Sequence, residues 1–314
     1  MSEAEPAYLL IAGTTKAATT SLFTWLAAHP RVAPARIKEP RTFLDSDYPL
    51  APSVPYARGL AAYAALFAAR GPGALRLEAT PDYLHSPGSA ARIRAELAEV
   101  RLVFSLRDPL ARLLSWYRYA RAGGRLDPAE SFEAWIRRQE RAPHGAQHDR
   151  ALVQGRYAAD LGRYFELFSR AERLVLFHEE LEARPREAVR AVCALAGLEP
   201  DFYDEFDFAV HNATEGQRHP RLQHAYHRLA FHARRVTAGV PPLFALLRRA
   251  ERVARPLYRR LQARAAEEVE LAPALERELI DFYADDVRAL EALLARRVPW
   301  PRFAERAREW PHAV

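Results

Sequence analysis

The stretch Y-L-L-I-A-G-T-T-K-A-A-T-T-S-L, which runs from Tyr8 to Leu22, decides the fold. Its first five residues are apolar and predict a short buried strand, whereas residues 21–29 place Leu22, Trp25 and Leu26 on one face of a helix. A loop lies between these two elements. Backbone N–H groups and the helix dipole form an anion site at such a junction.

The loop carries the chemical groups of a phosphate site. Lys16 supplies a cation, and the hydroxyls of Thr19, Thr20 and Ser21 supply hydrogen-bond donors. The phosphate-binding loop of proteins that bind nucleoside triphosphates, G-x-x-x-x-G-K-[ST], has Gly directly before its Lys. The loop of this chain has no Gly at that position. A chance Gly-Thr turn before a helix is the alternative if the loop is taken alone. The predicted anion-binding residues are Gly13, Thr14, Thr15, Lys16, Ala17, Ala18, Thr19, Thr20 and Ser21.

Strand and helix patterns alternate along the rest of the chain. Strands are predicted over residues 8–12, 74–80, 101–107 and 173–178, and helices over residues 90–97, 131–140, 156–169, 185–195 and 274–294. This alternation implies an α/β fold with three layers, α/β/α, around a central parallel sheet, with a helical C-terminal elaboration. We expect a single domain over residues 1–314, with ligands at the carboxyl ends of the strands.

Composition excludes several classes of protein. The chain has 314 residues, of which 49% are hydrophobic and 27% charged, so disordered and collagen-like classes do not fit. The single cysteine, Cys193, cannot form an internal disulfide. No apolar run approaches the length of a membrane span, and the first residues are acidic where a signal peptide is basic. These features predict a cytoplasmic protein that is neither exported nor membrane-spanning.

Positive charge is concentrated in one segment, residues 221–265. It contains 11 Arg and one acidic residue, so its net charge is near +10, and the remainder of this +6 chain is near −4. Its apolar residues keep helical spacing, which predicts a basic helical insertion. We expect it to recognise the acceptor or to contact a membrane surface peripherally, although a solvated arm that only keeps the protein soluble is the alternative.

A second candidate site follows the strand predicted over residues 101–107. Asp108 is a natural helix N-cap, and Pro109 suits the first helical position. Arg107 at the strand's carboxyl end and Ser115 two turns into the helix could therefore face one phosphate. A strand that ends in Asp could instead be a metal-binding element, but a capping carboxylate is already engaged with backbone N–H groups.

Together the two motifs resemble those of sulfotransferases that use 3′-phosphoadenosine 5′-phosphosulfate (PAPS). Residues 13–22 resemble the 5′-phosphosulfate loop of that family, G-x-x-K-x-G-T-T-S-L, with Ala18 where Gly is usual. The family's 3′-phosphate motif, R-D-P-x-x-R-x-x-S-x-Y, is matched by Arg107, Asp108, Pro109, Arg112, Ser115 and Tyr117. The resemblance implies a P-loop NTPase-like sulfotransferase fold, PAPS as co-substrate, PAP as product and no metal.

Weaker resemblances continue downstream. Residues 38–44 resemble the K-E-x-H-F-F segment of the heparan and Nod-factor type enzymes, whose Glu is the acceptor base, so Glu39 is implied as that base. Residues 78–84 resemble E-x-[ST]-P-x-Y, which suggests that Glu78 and Tyr83 bind substrate. The usual K-G-R before the last 3′-phosphate contacts is replaced by E-G-Q-R, in which only Arg218 is a substitute.

The resemblance implies a bacterial enzyme that moves a sulfuryl group in line from PAPS to a hydroxyl or amine of a carbohydrate or small molecule. Lys16 would stabilise charge on the bridging oxygen, and Glu39, which follows a short strand beside the phosphate loop, would take the acceptor proton. Glu39 could instead pair with Lys38 or Arg41 at the surface. Glu78 could replace it as the base, or orient Lys16.

Two other functional classes stay open at this point. A P-loop kinase would share the fold and the anion loop, but it needs a Mg²⁺ carboxylate and the Gly-Lys-Ser order, and the sequence offers neither. A non-catalytic binder of acidic polymers or membranes would depend on residues 221–265 alone. We expect no nucleic-acid partner, and the sequence indicates neither the acceptor nor the oligomeric state.

Overall fold

The structure is a computed structural model of two compact units. It describes residues 7–209 (apart from Pro72, Pro128, His144 and residues 146–148), 216–217, 263–264, 269 and 271–309. The first unit comprises Met1–Arg112, Gln154–Asn212 and Arg277–Val314, and the second comprises Leu113–Val153 and Ala213–Glu276. The single-domain organisation stays a prediction. The proposed insertion at residues 221–265 lies outside the described residues, except for a two-residue strand near its end.

A parallel sheet forms the centre of the first unit. Its described strands are β1 Tyr8–Gly13, β2 Val32–Pro34, β3 Leu75–Glu78, β4 Val100–Leu106 and β5 Arg173–Phe177, in the order β2-β3-β1-β4-β5. Every neighbouring pair is parallel. With helices on its faces, this sheet confirms the predicted α/β fold class.

Within the described residues, the helices agree with the bounds predicted from the sequence to within two residues. They are α1 Thr19–Ala27, α2 Gly59–Ala64, α3 Ser89–Glu96, α4 Pro109–Ala122, α5 Phe132–Arg141, α6 Ala158–Leu167, α7 His178–Ala183, α8 Pro185–Ala196, α9 Pro273–Leu294 and α10 Pro301–Glu309. A 3-10 turn over Pro81–His85 follows β3. In the second unit, β6 Gly216–Gln217 pairs antiparallel with β7 Ala263–Arg264.

The apolar core of the first unit includes β1, α1 and α8. All six residues of β1 are buried, and so are Leu22, Trp25 and Leu26, the predicted inner face of α1. Full burial of one such side chain is worth about 1.5–3 kcal/mol. Cys193 of α8 lies in the same core, where burial raises the pKa of its thiol to about 11.

The strand order positions the site. The chain continues from β1 through α1 to β2 and β3 on one side of β1, whereas β4 lies on the other side. The order therefore reverses between β1 and β4, and open α/β sheets bind ligands outside the carboxyl ends of the strands at such a point. The short strand before Glu39 was expected beside the phosphate loop. It is β2, at the sheet edge, with β3 between it and β1.

None of the described helices combines the length and the apolar character that crossing a membrane requires.

Candidate functional site

The loop between β1 and α1 is held by its carbonyl groups. Three consecutive carbonyl oxygens accept hydrogen bonds from side chains of β4 and the residues that follow it: that of Thr15 from Arg112 Nε (3.0 Å), that of Lys16 from Arg107 Nη1 (3.2 Å) and that of Ala17 from Ser105 Oγ (2.6 Å). A peptide's N–H points opposite to its C=O. The N–H groups of residues 16–18 are therefore turned away from these side chains, as an anion-binding loop requires.

The loop backbone is strained at two positions. Lys16 (φ 72°) and Ala18 (φ 58°) both adopt the left-handed region, and Ala18 is also the N-cap of α1. That conformation costs a residue with a Cβ about 1–2 kcal/mol. A left-handed backbone suits the Gly that the motif resembled by this loop has where Ala18 stands. At Gly13 the need is different, because a Cβ there would lie 2.9 Å from Cβ of Leu84.

The hydroxyl groups of the loop and of the first turn of α1 have different environments. Thr14 is fully buried, and its Oγ1 lies 2.8 Å from His85 Nε2, so this hydroxyl is directed into the protein. Thr15 Oγ1 is buried and has no hydrogen-bond partner among the described residues. Thr19 and Ser21 are buried in the first turn of α1, and Thr20 is half-buried.

The capping function predicted for Asp108 is confirmed. Its Oδ1 accepts hydrogen bonds from the backbone N–H groups of Leu110 (2.9 Å) and Ala111 (3.0 Å) at the start of α4. Its Oδ2 lies 3.1 Å from Arg302 Nε. Both carboxylate oxygens are therefore engaged. In the described part of the chain, no three His, Cys, Asp or Glu side chains are grouped so as to hold a metal ion, and a metal-free reaction stays a prediction.

Arg107 is a cation whose guanidinium N–H groups do not all form hydrogen bonds. Its Nε is buried without a hydrogen-bond partner, and no carboxylate among the described residues lies within ion-pair distance of its guanidinium. Burial lowers its pKa from the ordinary value, and the charges of Glu182 and Glu179 oppose that shift. Burial and Arg107 together lower the pKa of His178 to about 4. An anion beside the guanidinium of Arg107 would balance its charge.

The two other residues predicted at the 3′-phosphate cannot be placed beside Arg107. Ser115 is half-buried in α4, in the part of the helix that belongs to the second unit. Arg218 lies outside the described residues. Their roles stay predictions.

The segment G-R-Y at residues 155–157 contacts the backbone of Arg107. Tyr157 Oη donates to the carbonyl of Arg107 (2.8 Å). The backbone N–H of Tyr157 donates in turn to Asp286 of α9 (2.6 Å). Helix α9 is thereby connected through Tyr157 to the end of β4.

Glu39 forms the local ion pairs that the sequence allowed as an alternative. Its Oε1 lies 3.1 Å from Lys38 Nζ, and its Oε2 lies 2.9 Å from Arg41 Nη2. Burial alone would raise the pKa of Glu39, but the charges and hydrogen bonds of these two neighbours outweigh burial and hold the pKa below its usual range. Glu39 retains 31% of its side-chain exposure, so a ligand can reach it.

Glu78 is sealed inside the protein. It has no exposed surface, and its carboxylate accepts hydrogen bonds from Tyr63 Oη (2.9 Å), Thr80 Oγ1 (2.6 Å) and Tyr83 Oη (2.9 Å). Burial raises its pKa to about 7, although the three hydroxyls oppose the shift. Tyr83 is also fully buried. Substrate contacts by Glu78 and Tyr83 stay predictions.

Glu78 should make folding stability depend on pH. Its pKa is 4.5 ordinarily and about 7 in the folded protein, so between these values the folded state binds more protons than the unfolded chain. The stabilisation is complete below pH 4.5 and is lost as pH rises through 7, by about 3 kcal/mol in total. Urea unfolding of wild type and Glu78→Gln at pH 5 and pH 8 measures this. We expect the free energy of unfolding of the wild type to fall from pH 5 to pH 8, and that of Glu78→Gln to change much less. An equal change in the two proteins would contradict the assignment.

Several residues that organise the site have no clear sequence signal. Ser105 is a polar residue inside an apolar strand, which could have indicated an inward hydrogen bond. Arg112 belongs to the 3′-phosphate motif, but its fully buried contact with the loop could not be read from the motif. No pattern in the sequence indicates that His85 contacts Thr14.

Comparison with known proteins gives one consistent result. The family described as "Sulfotransferase domain" matches residues 6–224. The chain is similar to the bifunctional heparan sulfate N-deacetylase/N-sulfotransferase 4 of Mus musculus, at 26% identity over 204 residues that cover 63% of this chain and 23% of that protein. It is also similar to the human heparan sulfate glucosamine 3-O-sulfotransferase 6, at 29% identity over 207 residues that cover 66% and 56%.

The match therefore spans about a quarter of the length of one curated relative and about half of the other. Among solved structures, a sulfotransferase from Alicyclobacillus acidocaldarius superposes with a TM-score of 0.65 at 24% identity, covering 94% of this chain and 98% of that one. This likeness shows that the two proteins share a fold.

Proposed function

The chain belongs to the sulfotransferase domain family, and from this membership we propose that it transfers a sulfuryl group from PAPS to a hydroxyl or amine of a carbohydrate or small-molecule acceptor. The observation that carries the proposal is the loop at residues 13–18. Three of its carbonyls are held back toward β4, at the point where the strand order reverses, and the N–H groups of residues 16–18 point in the opposite direction, as an anion-binding loop requires.

The hydrogen-bond donors and cations of the site suit a nucleotide with two separate anionic ends. PAPS, when bound, supplies a sulfuryl group attached to its 5′-phosphate. The loop N–H groups, Lys16 and the hydroxyls at the start of α1 would hold that end. Arg107, whose guanidinium has no carboxylate within ion-pair distance among the described residues, would hold the 3′-phosphate.

Lys16 would act on the charge that builds up during transfer. Electron density moves onto the oxygen that stays with the leaving nucleotide, and a cation fixed beside that oxygen stabilises the transition state more than the ground state. Lys16 lies in the loop directly before α1, where the positive end of the helix dipole adds to its charge.

Glu39 is the better candidate for the acceptor base. It is partly exposed, whereas Glu78 has no surface that an acceptor could touch. The low pKa of Glu39 keeps it ionised at neutral pH, and Lys38 and Arg41 fix the direction of its carboxylate. The same low pKa limits its strength as a base, so its position is the main contribution.

The relatives named for heparan sulfate favour a carbohydrate acceptor. Acceptor or membrane contact through residues 221–265 and a cytoplasmic location are retained as predictions.

Transfer of ³⁵S from labelled PAPS to a panel of carbohydrate and small-molecule acceptors tests the proposal. We expect labelled product with the wild type, and a fall in kcat of about 10²–10⁴-fold in Glu39→Gln. Glu199→Gln is the matched control, because Glu199 is exposed and likewise paired with an arginine, Arg31. Loss of transfer in Glu78→Gln but not in Glu39→Gln would indicate that Glu78, and not Glu39, is the acceptor base. Absence of transfer to every acceptor would count against the activity.

A further inference from the structure

A chain of hydrogen bonds leads from α6 to the first loop residue after β1. Asp160 Oδ2 lies 2.7 Å from His85 Nδ1, and His85 Nε2 lies 2.8 Å from Thr14 Oγ1. Arg163 Nη2 donates to the other oxygen of Asp160 (2.6 Å). The His85 side chain is 2% exposed and Thr14 is fully buried, so water does not compete for the inner contacts.

The proton positions in this chain follow from the charge of Asp160. Burial alone would raise the pKa of Asp160, but the hydrogen bonds and charges of His85 and Arg163 outweigh burial and hold it below its usual range. An ionised carboxylate only accepts hydrogen bonds, so Nδ1 of His85 carries a proton and donates it. In the neutral ring, Nε2 then accepts a hydrogen bond from the hydroxyl of Thr14.

The 3-10 turn over Pro81–His85 therefore holds the loop at two adjacent points. Leu84 packs so closely under Gly13 that a Cβ there would approach it to 2.9 Å, and His85 binds the side chain of Thr14. The backbone N–H of Thr14 also donates to the carbonyl of Ser105 (2.7 Å).

Such attachment has a physical purpose, because the loop is strained. The left-handed conformation costs about 1–2 kcal/mol at each of Lys16 and Ala18, and it persists only where the surroundings fix it. Side chains of β4 and of the residues that follow it fix the carbonyls of residues 15–17. Thr14 is fixed instead by His85, which belongs to neither phosphate motif.

We propose that His85 is a positioning residue that holds the phosphate loop in its anion-binding conformation through the hydroxyl of Thr14, with Asp160 fixing which ring nitrogen carries the proton. The role rests on the proposed function, since donor affinity is its main readout. The His85 side chain is only 2% exposed, so it would act on donor binding through Thr14 and not by contact with a substrate.

Two substitutions separate the contacts of His85. In His85→Gln the side-chain amide can occupy the place of Nε2 and keep the Thr14 contact, whereas in His85→Asn it can occupy the place of Nδ1 and keep only the Asp160 contact. We expect His85→Asn to weaken PAP binding by about tenfold in calorimetry, and His85→Gln to restore most of the affinity. Thr14→Val should match His85→Asn, and the double variant should lose no more than either single one.

His29→Asn is the matched control. His29 is also buried and also bonded through Nε2, to the carbonyl of Glu199, but it has no contact with the loop. We expect it to leave PAP affinity unchanged while lowering stability as much as His85→Asn. Equal affinities in His85→Asn and wild type, or equal losses in His29→Asn, would overturn the role of His85.

Two measurements on the ligand-free protein keep this test distinct from that of the proposed function. The proton spectrum of the wild type should contain a low-field signal from the His85 Nδ1–H, which disappears in Asp160→Asn. Amide hydrogen exchange of Thr14, whose N–H donates to the carbonyl of Ser105, should accelerate in His85→Asn and not in His29→Asn. If wild type does not bind PAP, the proposed function fails, whereas unchanged exchange would overturn the positioning role even where PAP binds.

Discussion

Replacement of Lys16 by Ala is expected to lower kcat by about 10²–10³-fold, the range observed when one group that stabilises transition-state charge is removed. Lys16 lies in the phosphate loop at φ 72° and directly before α1, so its ammonium is the cation that the loop itself supplies. Steady-state kinetics with labelled PAPS measures the change. Donor affinity should fall less than kcat, because much of the interaction exists only in the transition state.

Lys16→Arg gives the more specific result. Of the 46 basic residues only Lys16 and Lys38 are lysines, which indicates that a compact ammonium is needed at these positions. A planar guanidinium should not fit the tight loop as a point charge, so Lys16→Arg should recover little of the rate. Activity near that of the wild type in Lys16→Arg would contradict this role for the lysine.

Arg112→Met is expected to have the largest effect on stability, about 3–5 kcal/mol of the free energy of unfolding. Arg112 has no exposed surface, and its guanidinium donates to the carbonyl of Thr15 and to Gln154 Oε1 (3.2 Å). Met keeps much of the volume, so the loss reports the acceptors left without donors rather than a cavity. Urea unfolding measures the stability, and calorimetry with PAP measures the accompanying loss of donor affinity.

Arg31→Met is the control for Arg112→Met. Arg31 is also paired, with Glu199 at 2.6 Å, but half of its side chain is exposed. Exposed pairs contribute about 0–1 kcal/mol, so this variant should remain close to the wild type in stability and in PAP affinity. Similar behaviour of the two variants would show that Arg112 does not hold the loop.

The parts of the fold that sequence could predict are those determined by local pattern. The apolar run of β1, the inner face of α1 and the cap at Asp108 depend on neighbouring residues, and the structure has all three. Helix α2 was missed because six residues are too few to establish a period. The short strand expected before Glu39 is β2, whose three residues were likewise too few for its bounds to be predicted. Helix α1 begins at Thr19 rather than at residue 21, since its first turn is polar.

The candidate site was predictable only in part, for a related reason. The pairing of Glu39 with Lys38 and Arg41 lies within four consecutive residues, and the sequence offered it as an alternative. The contacts that hold the loop join distant residues, such as Arg112 with Thr15 and His85 with Thr14. Such contacts depend on which strand ends meet, and only the strand order supplies that information.

The most direct test of the central claim is a calorimetric titration of wild type and Arg107→Ala with PAP in the presence of EDTA. We expect the wild type to bind PAP without Mg²⁺, because the chain's own cations and N–H groups meet the charge of both phosphate ends. Arg107→Ala should bind PAP more weakly and should no longer distinguish it from adenosine 5′-phosphate, which lacks the 3′-phosphate. No binding of PAP by the wild type, together with binding of ATP only when Mg²⁺ is added, would contradict the claim and favour a phosphotransferase.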